Sequence, residues 1–166
     1  MTIEDFYSAG QERVSLINDF AEKYQLGGKA LADHIGYKCD STAVYEQMRS
    51  LFETNSTYIY QSLISERRIS IIKLKKPFVT MLGEISYLEL SDQKPNGSQK
   101  NGFDHVEIYP SEMSLEKLVQ FVQTQGERGE ASIKLHHSTH NFSLIPGFTL
   151  KIESCELIQK IKDEEM

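Results

Sequence analysis

The sequence predicts an α+β fold in which two βαβββ modules follow one another behind an N-terminal helical segment. The first observation is a repeated word, because Asp33-His34-Ile35 returns as Asp104-His105-Val106. The second is that each word opens a strand-like run, and a helical pattern follows it at residues 42–52 in one copy and 114–123 in the other. Self-similarity of this kind indicates a duplicated structural unit.

Length and charge limit the class of protein. The 166 residues fit one domain with a sizeable core. The chain has 18 basic and 24 acidic residues, a net charge of −6, and its basic residues are scattered or in short pairs such as Arg67-Arg68 and Lys75-Lys76. A nucleic-acid surface needs a dense basic stripe over the phosphates, so the sequence argues against nucleic-acid binding.

Cysteine usage and the start of the chain bear on the compartment. Cys39 and Cys155 stand apart rather than in a CxxC pair, which predicts neither a zinc ribbon nor a disulfide framework. Residues 1–5 include Glu4 and Asp5 and no apolar run, unlike a secretory signal or a transit peptide. Since no apolar run reaches membrane-spanning length, the sequence predicts a cytoplasmic protein without a membrane partner.

Residues 1–28 are an N-terminal extension outside the repeat. Apolar side chains recur in it at helical spacing, Thr2 is suited to cap its start, and Gly27-Gly28 ends the run. A break is expected near Gly10. The polar face lacks the basic residues of a membrane-surface helix, so the apolar stripe is expected to pack on the main domain, residues 29–166.

The first module is predicted over residues 33–91. Apolar and polar residues alternate from 35 to 39, the period of a strand with one packed face. Ser41 or Thr42 caps the helix that follows. Three strands are then expected, with Pro77 separating the last two. Their ranges are 57–62, 69–74 and 79–90.

The second module is predicted over residues 103–156, behind a loop at 92–102 that is rich in Pro, Asn, Gly and Ser. It repeats the order of the first, with a helix that ends near Gly126. Its strands are expected at 105–109, 131–136, 141–145 and 148–153. Residues 157–166 form a charged tail, expected to be a short helix or frayed.

Three short runs occur in the order and spacing of a known family: Ala32-Asp33-His34-Ile35, Ser86-Tyr87-Leu88-Glu89-Leu90 and His105-Val106-Glu107-Ile108. With the tandem βαβββ units, they make the chain resemble the YecM family of small bacterial proteins, within the vicinal oxygen chelate (glyoxalase, bleomycin resistance and dioxygenase) superfamily. The resemblance covers residues 27–158 and extends to the N-terminal helical segment. It implies a curled mixed sheet whose two halves enclose a cup.

The resemblance also implies a metal site. Metal-dependent members of the superfamily bind a divalent ion with side chains of the first and fourth strands of each unit. Two imidazoles with carboxylates suit Zn, Ni, Mn or Fe(II), and a subset with one carboxylate matches the facial triad of non-haem iron oxygenases. Alternatively, duplication has copied an Asp-His word that only fixes the start of a strand. The implied ligands are His34, Glu89, His105 and Glu153.

Strand parity predicts which residues share the cup with these ligands and bind substrate. Side chains two or four places along a strand point the same way. Lysines beside a metal favour an anionic or enolate-forming substrate, although lysines at a sheet edge equally extend to solvent. The predicted substrate-binding residues are Lys38, Tyr87, Glu107, Tyr109 and Lys151, and Thr149 is in phase with Lys151.

A second histidine cluster, His136, His137 and His140, lies in a strand-turn-strand context. No Glu follows its first His as in HExxH, so we interpret it as a polar hairpin turn or the rim of the cup rather than a primary metal site. The sequence has no P-loop, GxGxxG or GxSxG motif.

The function expected from the resemblance is that of a metal-dependent isomerase, lyase or dioxygenase. Its substrate would be a small molecule with two adjacent oxygens that chelate the ion. By likeness to glyoxalase I, Glu89 or Glu153 would act as the general base. A non-catalytic module that binds a small ligand in the same cup is the alternative, and a structural partner protein is a third. The chain is expected to be a monomer or a homodimer.

Overall fold

The computed structural model describes residues 1–64, 66–126, 129–134 and 137–165. Within these residues the chain forms four helices and one eight-stranded sheet. The first module and the helix before it comprise α1 (Ile3–Lys23), β1 (Ala30–Lys38), α2 (Thr42–Asn55), β2 (Ser56–Ile64), β3 (Arg67–Thr80) and β4 (Gly83–Ser91). The rest comprises β5 (Gly102–Pro110), α3 (Leu115–Gln123), β6 (Glu130–Lys134), β7 (His137–Ile145), β8 (Phe148–Ile152) and α4 (Leu157–Glu165).

The predicted tandem βαβββ order is confirmed, and the sheet shows how the copies join. The strand order is β2-β3-β4-β1-β5-β8-β7-β6. In each module the first strand pairs in parallel with the last, β1 with β4 and β5 with β8. The two first strands, β1 and β5, pair antiparallel at the centre. The sheet is mixed, curled and unclosed, as the resemblance implied.

One face of the sheet carries the core. Alternate residues of the central strands, such as Ile35, Leu88, Val106 and Leu150, are fully buried there with side chains of α1, α2 and α3. Because strand side chains alternate, the residues between them lie on the opposite face. That opposite face holds every predicted ligand that lies within a strand.

The N-terminal helix α1 packs on this core, as its apolar stripe predicted. Thr2 accepts a hydrogen bond from the Asp5 amide, and the Asp5 carboxylate accepts one from the Thr2 amide, which completes a capping box. The expected break near Gly10 is wrong, because the helix is continuous there. Gly10 is instead a point of close approach, since a Cβ at this position would overlap the ring of Phe78.

The expectation that Pro77 separates two strands is also wrong. Strand β3 runs through Pro77, and the turn to β4 follows at Met81-Leu82. The β3–β4 register shifts between Lys73 and Phe78, so Pro77 lies in an irregularity of the ladder. A bulge tolerates proline because the missing N–H leaves no ladder bond broken.

The loop at 92–102 is held by its own side chains. The Gln99 amide donates to the carbonyls of Cys39, Ser91 and Asp92 at 2.7, 3.2 and 2.9 Å. These bonds tie the loop between the modules to the ends of β1 and β4. The tail is helical as α4 over its described residues. None of the described helices combines the length and apolarity that a membrane span requires.

Candidate metal centre

The candidate site lies at the centre of the sheet, on the face opposite the core. His34 on β1 is paired laterally with Glu107 on β5. Two residues further along β1, Gly36 is flanked by Glu89 on β4 and His105 on β5. Laterally paired residues direct their side chains to the same face. The register therefore brings both imidazoles and two carboxylates together.

The distances between their atoms show that these four groups converge. The Nε2 atom of His34 lies 3.6 Å from Glu89 Oε2 and 3.7 Å from Glu107 Oε1. The Nε2 atom of His105 lies 3.9 Å from Glu89 Oε1 and 3.9 Å from Glu107 Oε1. Among the described residues, one potential metal-ligand atom each from His34, His105 and Glu107 lie within 4.8 Å of one another.

Gly36 makes this convergence possible. It occupies the position between Glu89 and His105 in the lateral row, and it has no side chain to fill that space. The ring of His105 lies over it, so a Cβ at Gly36 would collide with the ring atoms. Only glycine leaves room for the second imidazole at this point of β1.

Each Asp-His word lies at a β-bulge. The β1–β5 register skips Asp33 between Ala32 and His34, and it skips Asp104 where β5 faces Gly36. A bulge sets two successive residues opposite one, so the Asp and the following His side chains can meet. Oδ2 of Asp33 lies 2.8 Å from Nδ1 of His34, and the matching distance from Asp104 to His105 is 2.9 Å.

These bonds orient both rings. An ionised carboxylate only accepts hydrogen bonds, so Nδ1 carries the proton in each imidazole and Nε2 faces the site. Both Nε2 atoms are buried and have no hydrogen-bond partner within the described part of the chain. Buried polar atoms are nearly always satisfied, which makes two unsatisfied nitrogens aimed at one point an indication of a missing ligand.

The local charges favour a cation at this point. Burial acts to lower the pKa of His34, but the carboxylates of Glu107, Asp33 and Glu89 outweigh it and raise the pKa to about 9. Burial acts to raise the pKa of Glu107, and the neighbouring cations, with His34 foremost, lower it to about 2. The metal-free site therefore holds an ionised carboxylate against a readily protonated imidazole.

Lys160 of α4 extends its side chain to the carboxylates of this site. Its Nζ lies 3.4 Å from Glu107 Oε2 and 2.9 Å from Glu153 Oε2. Burial acts to lower the pKa of Lys160, and these two carboxylates raise it. The amide of Leu157, the first residue of α4, donates to Asp33 Oδ2 at 2.8 Å. Asp33 thus holds both the ring of His34 and the start of α4.

The pairing register shows which residue of the second module occupies the place that Glu89 has in the first. Glu89 pairs with the residue two places after its module's site histidine. In the second module the residue two places after the site histidine, His105, is Glu107, and its partner on β8 is Lys151. Lys151 therefore occupies the place that Glu89 has in the first module. Glu153, the implied ligand of the second module, therefore lies two residues beyond the position that corresponds to Glu89.

Glu153 lies just past the end of β8, where its amide donates to the Ile108 carbonyl at 2.9 Å. Its side chain is 2% exposed and forms the ion pair with Lys160. Ligation of a metal by Glu153, and its role as a base, stay predictions. Glu107, which was predicted to bind substrate and whose contact with a substrate stays a prediction, lies among the potential ligands. Its position two places after His105 on one strand was the signal for this.

The other predicted substrate residues make different contacts around the site. Lys38 Nζ lies 2.8 Å from Asp104 Oδ2, so Lys38 supports the carboxylate that orients His105. Tyr87 is the β4 partner of His34. Tyr109 lies near Asp33 and Glu156, and burial foremost, with these two charges, raises its pKa. Lys151 pairs with Glu107. Their contacts with a substrate stay predictions.

The second histidine cluster is only partly described. His136 lies outside the described residues, and His137 is part of β7. His140 pairs with Ile152 and is in phase with the buried Phe142, so it lies on the core face and not on the face of the site.

The donor set fits a divalent ion. Ligand atoms about 2.1 Å from one ion lie about 3.4 Å apart in a tetrahedral arrangement. The separations of 3.6 to 3.9 Å between imidazole nitrogens and carboxylate oxygens exceed hydrogen-bond length and enclose a space of about this size. Two imidazoles with two carboxylates suit Zn, Mn, Fe(II) or Ni.

Comparison with known proteins places the chain among relatives of similar length. A family model described as "YecM protein" matches residues 5–162. A solved structure designated "Structural Genomics, Protein EC4020" matches with a TM-score of 0.72 at 20% identity, over 99% of this chain and 93% of that chain. This second likeness shows a shared fold. No curated protein matches the sequence.

Two further solved structures match less well. Hypothetical protein BH1468 from Bacillus halodurans C-125 has a TM-score of 0.48 at 14% identity, over 76% of this chain and 95% of that chain. Methylmalonyl-CoA epimerase in complex with methylmalonyl-CoA and NH4+ has a TM-score of 0.46 at 14% identity, over 78% of this chain and 97% of that chain. The present chain has the mixed α+β fold with a curled, unclosed sheet that was expected from the sequence.

Proposed function

This chain belongs to the YecM family, and we propose that it is a divalent-metal-dependent enzyme of the vicinal oxygen chelate type that acts on a small oxygenated substrate. The observation that carries the proposal is the pair of buried Nε2 atoms of His34 and His105, unpartnered within the described residues and facing two carboxylates. A structural histidine would be expected to have both ring nitrogens satisfied.

His34, His105 and Glu107 would hold the ion, with Glu89 as a fourth ligand. The Asp33 and Asp104 carboxylates fix the ring orientations that such ligation requires. When bound, the metal would act as a Lewis acid that polarises two adjacent substrate oxygens. An isomerase, lyase or dioxygenase reaction is consistent with this chemistry.

Glu89 is the better placed of the two predicted bases. Its side chain is 22% exposed, against 2% for Glu153, and it lies at the edge of the site beside both imidazoles. Glu153 is paired with Lys160, which would hold its charge in place rather than leave it free to accept a proton. We therefore assign proton abstraction from the substrate to Glu89, in the state in which its carboxylate is not a ligand.

Lys160 would keep Glu107 in position. Its ammonium contacts Glu107 Oε2, while Glu107 Oε1 faces the two imidazoles. This arrangement would leave one oxygen of the carboxylate for an ion, while the other oxygen is held by a charge-assisted contact. The helix that carries Lys160 also covers the site and would limit the access of water.

Metal content tests the proposal. The protein, purified without chelators and dialysed against Zn²⁺, is expected to hold about one equivalent by elemental analysis, and the His34→Ala/His105→Ala double variant is expected to hold none. Glu84→Gln serves as the control, because Glu84 is exposed on β4 away from the site. Equal metal content in wild type and double variant overturns the proposal. A folded protein without metal in either form supports the non-catalytic binding module instead.

A further inference from the structure

A cleft of about 480 Å³ opens beside the candidate metal centre. One wall is the sheet, and the other is α4. The residues that line it are Thr57, Tyr58, Lys73, Tyr87, Ile158, Ile161 and Lys162. Its volume is in the range of pockets that bind small molecules.

The sheet register places this cleft next to the site. Tyr87 pairs with His34 on one side and with Lys73 on the other. Lys73 in turn pairs with Tyr58 on β2. Neighbouring strands lie about 4.8 Å apart, so the Lys73 backbone is about 10 Å from that of His34. A compound with one ring spans much of this distance.

The charge of the cleft is opposite to that of the protein. Lys73 and Lys162 both line it, and its described lining contains no acidic residue, whereas the chain as a whole has a net charge of −6. The Lys73 ammonium lies 5.9 Å from the centre of the Tyr87 ring. Two lysines, one on the sheet and one on α4, favour an anion in the cleft.

Most of the remaining lining residues are aromatic or aliphatic and would pack against an apolar part of a ligand. Tyr58 and Tyr87 present rings from the sheet, and Ile158 and Ile161 present aliphatic side chains from α4. Such walls bind a flat apolar group, while a few polar groups set its orientation.

We propose that this cleft binds the distal end of the substrate, and that the substrate is a small organic anion with a flat apolar body. Its charged group lies against Lys73 and Lys162, and its adjacent oxygens point toward His34 and Glu89. This inference rests on the proposed metal-dependent function and adds the substrate class to it.

The test uses a probe that has two adjacent oxygens at one end and an anionic group at the other. The compound 3,4-dihydroxybenzoate carries adjacent oxygens and a distal carboxylate, and 3,4-dihydroxybenzamide is its neutral counterpart. Calorimetric titration of the Zn²⁺-loaded protein is expected to give tighter binding of the benzoate, by about fivefold for each lysine that it meets.

Variants assign the preference to the cleft. Lys73→Gln and Lys162→Gln are each expected to reduce the preference for the benzoate about fivefold and to leave binding of the amide unchanged. The matched control is Lys76→Gln, because Lys76 is exposed on the same strand but lies outside the cleft. This control is expected to keep the full preference.

The outcomes separate the two proposals. Equal affinity for benzoate and amide in a protein that holds its metal overturns the substrate class and leaves the metal-dependent function intact. A preference that Lys73→Gln and Lys162→Gln do not change likewise overturns it. A protein that holds no Zn²⁺ contradicts the proposed function, and lysine-dependent binding of the benzoate to it would still support an anion site in the cleft.

Discussion

The two modules share one architecture but furnish the site differently. The first module supplies His34 from β1 and Glu89 from β4. Its Gly36, also on β1, has no side chain and so leaves space for the His105 ring. The second supplies both of its groups, His105 and Glu107, from the single strand β5. Duplication therefore preserved the backbone and the imidazoles, while the carboxylate came to lie on a different strand in each copy.

The difference extends to what surrounds the ligands. Where the first module has Glu89, the second has Lys151 as the lateral partner of its Glu107. The first module's side opens into the cleft beside Tyr87, and Lys160 of α4 covers Glu107 on the second module's side. The pseudo-symmetric sheet thus carries an asymmetric candidate site, with one half beside the cleft and the other under Lys160. Four experiments sharpen this comparison.

The largest effect on zinc binding is expected from Gly36→Val, which fills the space that the glycine of the first module leaves for the His105 ring. The new side chain collides with the His105 ring and displaces it. We expect zinc affinity to fall by more than about 100-fold, which exceeds the effect of losing an outer-shell partner. The free energy of unfolding is expected to drop by about 1–3 kcal/mol from overpacking. Calorimetry and thermal unfolding measure the two effects.

Gly27→Ala is the control for this change, because a Cβ at Gly27 meets no atom within 4 Å. It is expected to bind zinc like wild type. Normal zinc affinity in Gly36→Val would mean that the His105 ring does not need this space.

The next effect compares the two carboxylates. Glu107 is 11% exposed and Glu89 is 22% exposed. The more buried carboxylate attracts the ion through less water, so Glu107→Gln is expected to lower zinc affinity about 100-fold and Glu89→Gln about tenfold. Competition with a chromophoric zinc chelator measures both.

Glu153→Gln belongs in the same series. An unchanged zinc affinity would assign Glu153 to the ion pair with Lys160, and a loss as large as that of Glu107→Gln would return it to the ligand set. A larger loss for Glu89→Gln than for Glu107→Gln would reverse the proposed asymmetry of the modules.

A smaller effect is expected from the two bulge aspartates. Asp33→Ala and Asp104→Ala each free one ring from its orienting bond, and each is expected to lower zinc affinity about tenfold. Asp33→Ala also removes the acceptor for the Leu157 amide at the start of α4, so it alone is expected to destabilise α4 by about 1 kcal/mol. Hydrogen exchange of α4 measures that difference.

Asp19→Ala is the matched control, because Asp19 is exposed on α1. Equal protection of α4 in Asp33→Ala and Asp104→Ala would contradict the coupling between Asp33 and this helix.

The last effect is that of pH, which for a change of one unit is no larger than the effect of either aspartate. The pKa of His34 is raised to about 9 in the metal-free protein, so a metal must displace a proton from it below that pH. Zinc affinity is therefore expected to rise with pH, by about tenfold per unit, and to level off near pH 9. The pKa of Glu107 is lowered to about 2, so Glu107 adds no proton in this range.

Proton release on addition of Zn²⁺ at pH 7, measured in weak buffer, is expected to be about one per ion for His34. Zinc hydrolysis is subtracted with a protein-free titration at the same concentration. Binding without proton release would show that His34 is neutral before the metal arrives.

Much of the fold was predictable from the sequence. Helix caps at Thr2 and Ser41 and the alternation in β1 are local signals, and they predicted most of the helices and strands to within a few residues. The repeated word predicted the duplication. Pro77 was misread because a bulge in β3 accommodates it, and a bulge depends on the partner strand.

The sequence by itself determined the modular order and the repeated histidines, since these follow from local periodicity and from identical words, and Glu89 was implied by the family resemblance. Only the tertiary structure decided that Glu107 joins the imidazoles and that Glu153 pairs with Lys160. The physical reason is register. A side chain's neighbours in a sheet are set by pairing between strands far apart in the chain, and a shift of two residues exchanges one carboxylate for another.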